Sequence, residues 1–316
     1  MTATHGMEAW AFPRHRPQMY APSSRVLRAV PRYYSFGRQI SKTGQLAVMA
    51  AVSVPGVRSL VAKRETLTLP FAEDTFEQML REISEVVDQV RWAAFRSAWH
   101  TQRIILFSYG RHTTCTGVTH VTAAESATFH PMASGTVVRV PEVLGVRQIG
   151  SWEMRVEESL PPWHRAHPWD KARLTELIDD ARSILVTRID PSPQPDWVPI
   201  HGDLTPWNLR VDDGGTPWLI DWEWSGWGPE YADLLRFAIA HGSLSTSEPD
   251  ELVAWLDRHL EVAPEPLAQA ATYWLDHRMY HHLRPTRDPE EVDGIEAERE
   301  NARMEATALQ TLAARI

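Results

Sequence analysis

Apolar residues change their spacing along this chain, and the change falls near its middle. Up to about residue 158, short runs with strand-like alternation predominate. After about residue 231, spacings of three and four predominate. In the first half, Gln45–Val52 and Arg58–Lys63 read as strands around a Pro55-Gly56 turn, and Arg103–Tyr109 reads as another. Two strand segments flank Pro141, the second running through Gly145, and Ser151–Val156 follows a turn at Gly150. One helix interrupts them. Phe76, Met79, Leu80, Ile83, Val86, Val87 and Val90 form a 3.6-residue stripe, begun by Glu73-Asp74-Thr75. Ser159–Pro162 breaks regular structure. Beyond it come an amphipathic helix over 170–188, a hairpin within 201–224, and helices divided near Pro249, Pro264–Pro266 and Pro285–Pro289. Residues 1–35 have no clear period and read as an irregular arm, and most of 92–136 resists assignment. A sheet-rich first half and a helical second half predict an α+β chain of two lobes, 36–158 and 159–316.

Composition narrows the class. Hydrophobic content of 43% and charged content of 23% over 316 residues suit a soluble globular protein. A single cysteine, Cys115, excludes disulfides within the chain and thiolate metal clusters, and points to a reducing compartment. Prolines and arginines stand where a signal peptide would need an apolar run. The longest apolar stretch, Leu46–Val57, is broken by Ser53, Pro55 and Gly56 and is too short to span a bilayer. The expectation is a cytoplasmic protein with no membrane partner. A formal charge of -9 argues against nucleic acid and suits a cationic ligand better than an anionic one.

Candidate chemistry concentrates in residues 201–224, HGDLTPWNLRVDDGGTPWLIDWEW. Gly214-Gly215 reads as a two-residue hairpin loop, since glycine tolerates positive φ at both positions. That loop would pair Val211 with Trp218, Arg210 with Leu219, and Asn208 with Asp221. Opposed side chains lie about 5 Å apart at Cβ, so the amide oxygen and the carboxylate could share one Mg²⁺, completed by water and phosphate oxygens. Asp203 sits five residues before Asn208 in a loop, free to act as a separate base. This division of labour suits phosphoryl transfer. The plainer reading is that Asn and Asp merely decorate turns, and it is the joint spacing that speaks against it.

HGDLTPWN followed by LIDWE resembles the paired motifs of the aminoglycoside phosphotransferase and choline kinase family, His-x-Asp-x4-Asn and then Ile-Asp. The resemblance implies a two-lobed protein-kinase-like fold, with a small β-rich N-lobe and a larger, mostly helical C-lobe. It implies Asp203 as catalytic base, His201 as a brace for the catalytic loop, and Asn208 and Asp221 as metal ligands. Pro229-Glu-Tyr-Ala-Asp233 resembles the family's next segment, where an aspartate supports the same loop. In the first half, Leu60-Val-Ala-Lys63 resembles the strand whose lysine holds phosphates; the remaining lysines are Lys42 and Lys171. On the helical wheel Glu82 lies near the apolar edge and is the candidate partner of Lys63, although a solvated face explains it equally well. Glu158, Ser159 and Leu160 resemble the hinge whose backbone reads the base. No GxGxxG is present, and 92–136 has no family counterpart.

Other clusters are weaker. His277 and His281 share a helical face without a third ligand. His112, His120 and His130 suggest nothing specific. Trp207, Trp218, Trp222, Trp224 and Trp227 read as packing around the motif. The acidic run Asp288–Glu300 reads as a solvated helix start or as acids that attract a cationic acceptor. The functional expectation is an ATP- (or GTP-) and Mg²⁺-dependent phosphotransferase acting on a hydroxyl of a small molecule, in resistance or natural-product biosynthesis. The alternatives are a Ser/Thr kinase for a ribosomally made peptide and a catalytically silent binding module. Nothing in the sequence speaks to oligomeric state.

Overall fold

The computed structural model describes residues 5–14, 18–33, 42–89, 91–95, 103–112, 114–123, 134–186, 189–192, 194–277 and 292–315. The chain divides into two compact units. The first comprises Met1–Ala127 with Pro141–Arg165, the second Thr128–Val140 with Ala166–Ile316. The division falls after Arg165, later than the break at Ser159–Pro162 suggests, because the intervening residues bond back into the first unit. Ser159 Oγ donates to the Cys115 carbonyl at 2.9 Å, and the Trp163 amide to the Arg32 carbonyl at 2.9 Å.

In the first unit β1 (His5–Phe12), β2 (Met19–Ala21), α1 (Ser24–Leu27), α2 (Val30–Tyr33), α3 (Lys42–Ser53) and α4 (Pro55–Val61) precede β3 (Lys63–Leu69). Then follow α5 (Glu73–Val86), β4 (Arg91–Phe95), β5 (Arg103–Tyr109), β6 (Cys115–Ala123), β7 (Val143–Ile149) and β8 (Trp152–Glu157). All eight strands form one antiparallel sheet, ordered β3-β1-β2-β4-β5-β6-β8-β7. Period-two alternation gives it two apolar faces. Phe76, Met79 and Ile83 of α5 pack on Leu67, Leu106, Val121 and Val156. Val26, Leu27, Val30 and Val52 cover Phe12, Ala93, Tyr109 and Cys115 on the other face.

The N-terminal residues expected to be an arm thus contribute two strands to the sheet, with Ala9 and Ala11 wholly buried. Residues within 92–136 supply three more. The strands expected at 45–52 and 58–63 are helices α3 and α4 instead. Their run of Leu, Ala and Met is helix-forming, and Pro55 occupies the first turn of α4, where its missing amide costs nothing. Among the described residues no single helix is long and apolar enough to cross a membrane.

The second unit begins at β9 (Arg165–Ala166) and α6 (Lys171–Leu185), with Asp170 capping the Arg173 amide at 3.1 Å. Short strands β10 (Val198–Ile200), β11 (Leu209–Val211), β12 (Pro217–Leu219) and β13 (Gly226–Gly228) follow, with a 3-10 turn at Trp222–Trp224. Helices α7 (Ala232–Gly242), α8 (Pro249–Leu260), α9 (Pro264–His277) and α10 (Val292–Ala313) complete it, as the spacing after Tyr231 predicts. Leu209, Leu219 and Trp222 join Phe237, Leu256, Trp274 and Leu309 in one core. The loop carrying the motif is therefore backed by packed helices.

Candidate active site

The loop after β10 is held by its own polar groups. Asp233, in the first turn of α7 and 1% exposed, accepts the amides of His201 at 2.7 Å and Gly202 at 3.1 Å. Burial pushes the Asp233 carboxyl up to about 6, against the pull of those two amides. Gly202 has φ +82, and a Cβ there would lie 2.0 Å from the Trp224 carbonyl oxygen, so the tight turn requires glycine. His201 is fully buried. Its Nδ1 accepts the Asp203 amide at 3.3 Å, which leaves Nε2–H to donate to the Ile220 carbonyl at 3.0 Å. Burial lowers its pKa to about 4, so the ring is neutral and ties the loop to the residue before Asp221.

This arrangement presents the Asp203 carboxylate with one partner on each oxygen. Oδ2 accepts Asn208 Nδ2 at 2.9 Å; Oδ1 accepts Arg236 Nε at 3.2 Å, with Nη2 also at 3.2 Å. Asn208 Nδ2 also reaches the Asp203 carbonyl at 2.9 Å, so its own amide oxygen is turned away, a hard ligand available to a cation. Burial raises the Asp203 carboxyl to about 6, Arg236 opposes that, and the charge of Asp221 adds to it. Arg236 itself bridges Asp203 and Glu305 Oε2, the latter at 3.4 Å. Sequence reasoning missed it; its only signal is a place one turn after Asp233 on the same helix.

Asn208 and Asp221 come to the site by a different register from the expected one. The strands pair Leu209 with Leu219, Arg210 with Trp218 and Val211 with Pro217, a shift of one residue. Asn208 therefore faces Ile220, whose amide donates to its carbonyl at 3.0 Å. The connection is a five-residue turn built on Asp212, which accepts the amides of Gly214 at 2.8 Å and Thr216 at 2.9 Å. Asp221 lies past the pairing in the left-handed region, φ 66 and ψ 57. That conformation, not cross-strand opposition, sets its direction. Its charge still acts on both His201 and Asp203. No cluster of three acidic, His or Cys ligands exists among the described residues. One amide oxygen and one carboxylate fit a Mg²⁺ that takes its remaining ligands from water and phosphate.

The expected nucleotide grip in the first unit is not assembled. Lys63 begins β3 instead of ending a strand, and pairs with Glu65 at 3.1 Å. Glu82 pairs with Arg147 of β7 at 3.6 Å. β3 and β7 are the two outermost strands in the order, and five strands separate β3 from β8, which leads into the segment expected to be a hinge. The Glu158 amide is already donated to the Glu142 carbonyl at 2.8 Å. His120 finds a partner here: its Nε2 lies 3.3 Å from Glu157, which also binds Arg155 at 2.5 Å. Of the tryptophans, Trp218 and Trp222 are buried, and Trp222 packs on His201 with ring centroids 4.7 Å apart. Trp224 is exposed. His130, His281 and the side chains of His277 and of 288–299 lie outside the described residues.

Residues 132–269 match the family model described as the phosphotransferase enzyme family (APH), and that segment holds the entire loop, hairpin and Asp233-Arg236 support. The resemblance drawn from the paired motifs is thereby shown. No curated protein matches by sequence. Among solved structures, aminoglycoside phosphotransferase APH(4)-Ia is similar at 11% identity over 77% of this chain and 99% of that one, with a TM-score of 0.46. Amicoumacin kinase hAmiN, in complex with AMP-PNP, Ca²⁺ and Ami, gives 11% over 74% and 93%, with a TM-score of 0.41. A choline/ethanolamine kinase family protein from Mesorhizobium loti gives 12% over 76% and 99%, with a TM-score of 0.37.

Proposed function

We propose that this chain is an ATP- and Mg²⁺-dependent phosphotransferase that moves the γ-phosphoryl group to a hydroxyl of a small molecule. The observation that carries this reading is the Asp203 carboxylate, held from both sides by Asn208 and Arg236 in a loop braced by His201 and Asp233. A carboxyl raised to about 6 is ionised at neutral pH and is a stronger base than an ordinary aspartate. It orients the acceptor hydroxyl and takes its proton as the new O–P bond forms and the bond to the β-phosphate oxygen breaks, releasing ADP. Asn208 and Asp221 would hold Mg²⁺, which when bound neutralises charge on the phosphates. Ser159 and Leu160 would read the base.

Two measurements test this reading. Wild type should bind ATP more tightly with Mg²⁺ than without it. Asp203→Asn should retain that affinity within a few-fold while losing about a thousandfold or more of turnover with any accepted hydroxyl. A fully active Asp203→Asn removes Asp203 as base. The engagement of Lys63 with Glu65 and of Glu82 with Arg147 favours a second reading, a nucleotide-free binding module. Wild type that binds no nucleotide in calorimetry, with or without Mg²⁺, would favour that reading over transfer.

A further inference from the structure

Arg210 is a buried cation of the hairpin. Its residue exposure is 2%, Nε donates to the Trp207 carbonyl at 2.6 Å, and Nη2 is buried without a hydrogen-bond partner. No carboxylate among the described residues pairs with it. Burial lowers its pKa to about 9, which still leaves it protonated at neutral pH. Arg236, which is partly exposed, is answered by two acids. An uncompensated guanidinium is among the most costly groups a core can hold, and removing such a charge commonly stabilises a protein.

Its position gives the charge a use. Leu209 points into the helical core, so Arg210, the next residue of β11, projects to the opposite face. Trp218, directly across from Arg210, carries the Arg139 guanidinium over its ring at 4.2 Å. The hairpin strands thus lead from the loop and turn that carry Asn208 and Asp221 to the pair Arg210 and Trp218, where two guanidinium groups gather. A magnesium-bound polyphosphate has the complementary pattern, a cation beside anionic oxygens.

We propose that Arg210 binds a phosphate oxygen of the nucleotide and so supplies the cation that Lys63 does not. This rests on the phosphotransferase reading. The planar fork of a guanidinium suits paired phosphate oxygens, and burial strengthens such bonds. Calorimetric titration of Mg-ADP, magnesium pyrophosphate and adenosine into wild type, Arg210→Met and Arg210→Lys tests it. Arg210→Met should weaken Mg-ADP and pyrophosphate about 10- to 100-fold, as expected for losing a hydrogen bond to a charged group, and leave adenosine within about twofold. Arg210→Lys should recover part of the loss, and ligand-free Arg210→Met should melt no lower than wild type. Folded Arg210→Met that binds Mg-ADP and pyrophosphate as wild type does overturns the proposal. So does loss of fold in both variants, which would make Arg210 structural. Wild type that binds neither Mg-ADP nor pyrophosphate overturns the phosphotransferase reading, and this one with it.

Discussion

Arg236 restrains the upward shift that burial gives Asp203. The guanidinium lies 3.2 Å from Oδ1 and opposes the burial that raises the carboxyl to about 6. Arg236→Gln removes that opposition, so the Asp203 pKa should rise above about 6 and the acid limb of the kcat/KM profile should move to higher pH. Arg236→Lys keeps the charge and should move it less. An acid limb unchanged in Arg236→Gln would show that another group sets it. Asp203, Asn208 and His201 were legible in the sequence because a short loop keeps them within eight residues. Arg236 and Glu305 were not, since residues 69 positions apart meet only because α8 and α9 pack on both α7 and α10 and bring them together. Lys63 and Glu82 failed for a related reason: strand-like spelling does not say which place in a sheet a strand takes, and each found a nearer partner.

Register is the lesson at the scale of elements. Gly214-Gly215 predicts a two-residue loop, but Asp212 accepts the amides of Gly214 and Thr216 and lengthens the turn, sliding every pair by one. A slide of one residue exchanges faces in a pleated pair, and it moved Arg210 from opposite Leu219 to opposite Trp218. A second acid does similar work on α6. Asp180 receives the amides of Thr136, Val137 and Val138 and the Thr136 hydroxyl, all at 2.8–2.9 Å. Burial pushes its pKa up, but these four donors outweigh it and hold the carboxyl below its ordinary value. The stabilisation is therefore complete above the unfolded pKa, near 3.8, and lost as pH falls through the lower folded value. Asp180→Ala should cost about 3 kcal/mol at pH 7 and progressively less below pH 4, measured as a shift in denaturant midpoint. An equal cost at pH 7 and pH 3 would show that packing, not charge, explains it.

At the scale of the molecule, each unit carries its own apolar core, two clusters on the sheet and one among the helices. Truncation in one core should therefore act locally. Phe237→Ala, at a wholly buried position in α7, should cost about 3–5 kcal/mol and lower amide-exchange protection across α6–α9. Protection in β4–β6 should change little; equal loss there would mean the units unfold as one. The helical second unit was legible because a 3.6-residue stripe is local and repeats. The first unit was legible only in part, because sheet order depends on contacts between distant segments, and α3 and α4 spell apolar runs that suit either structure. By itself the sequence determined the α+β character, the resemblance to the phosphotransferase family, and the identity of the acid, amide and histidine in the loop, all of which rest on spacing over a few residues. Tertiary structure alone decided the hairpin register, the pairing of Lys63 and Glu82 elsewhere, the hold of Arg236 on Asp203 and the burial of Arg210 with no carboxylate partner among the described residues. Those depend on which surfaces exclude water and which charges packing leaves together.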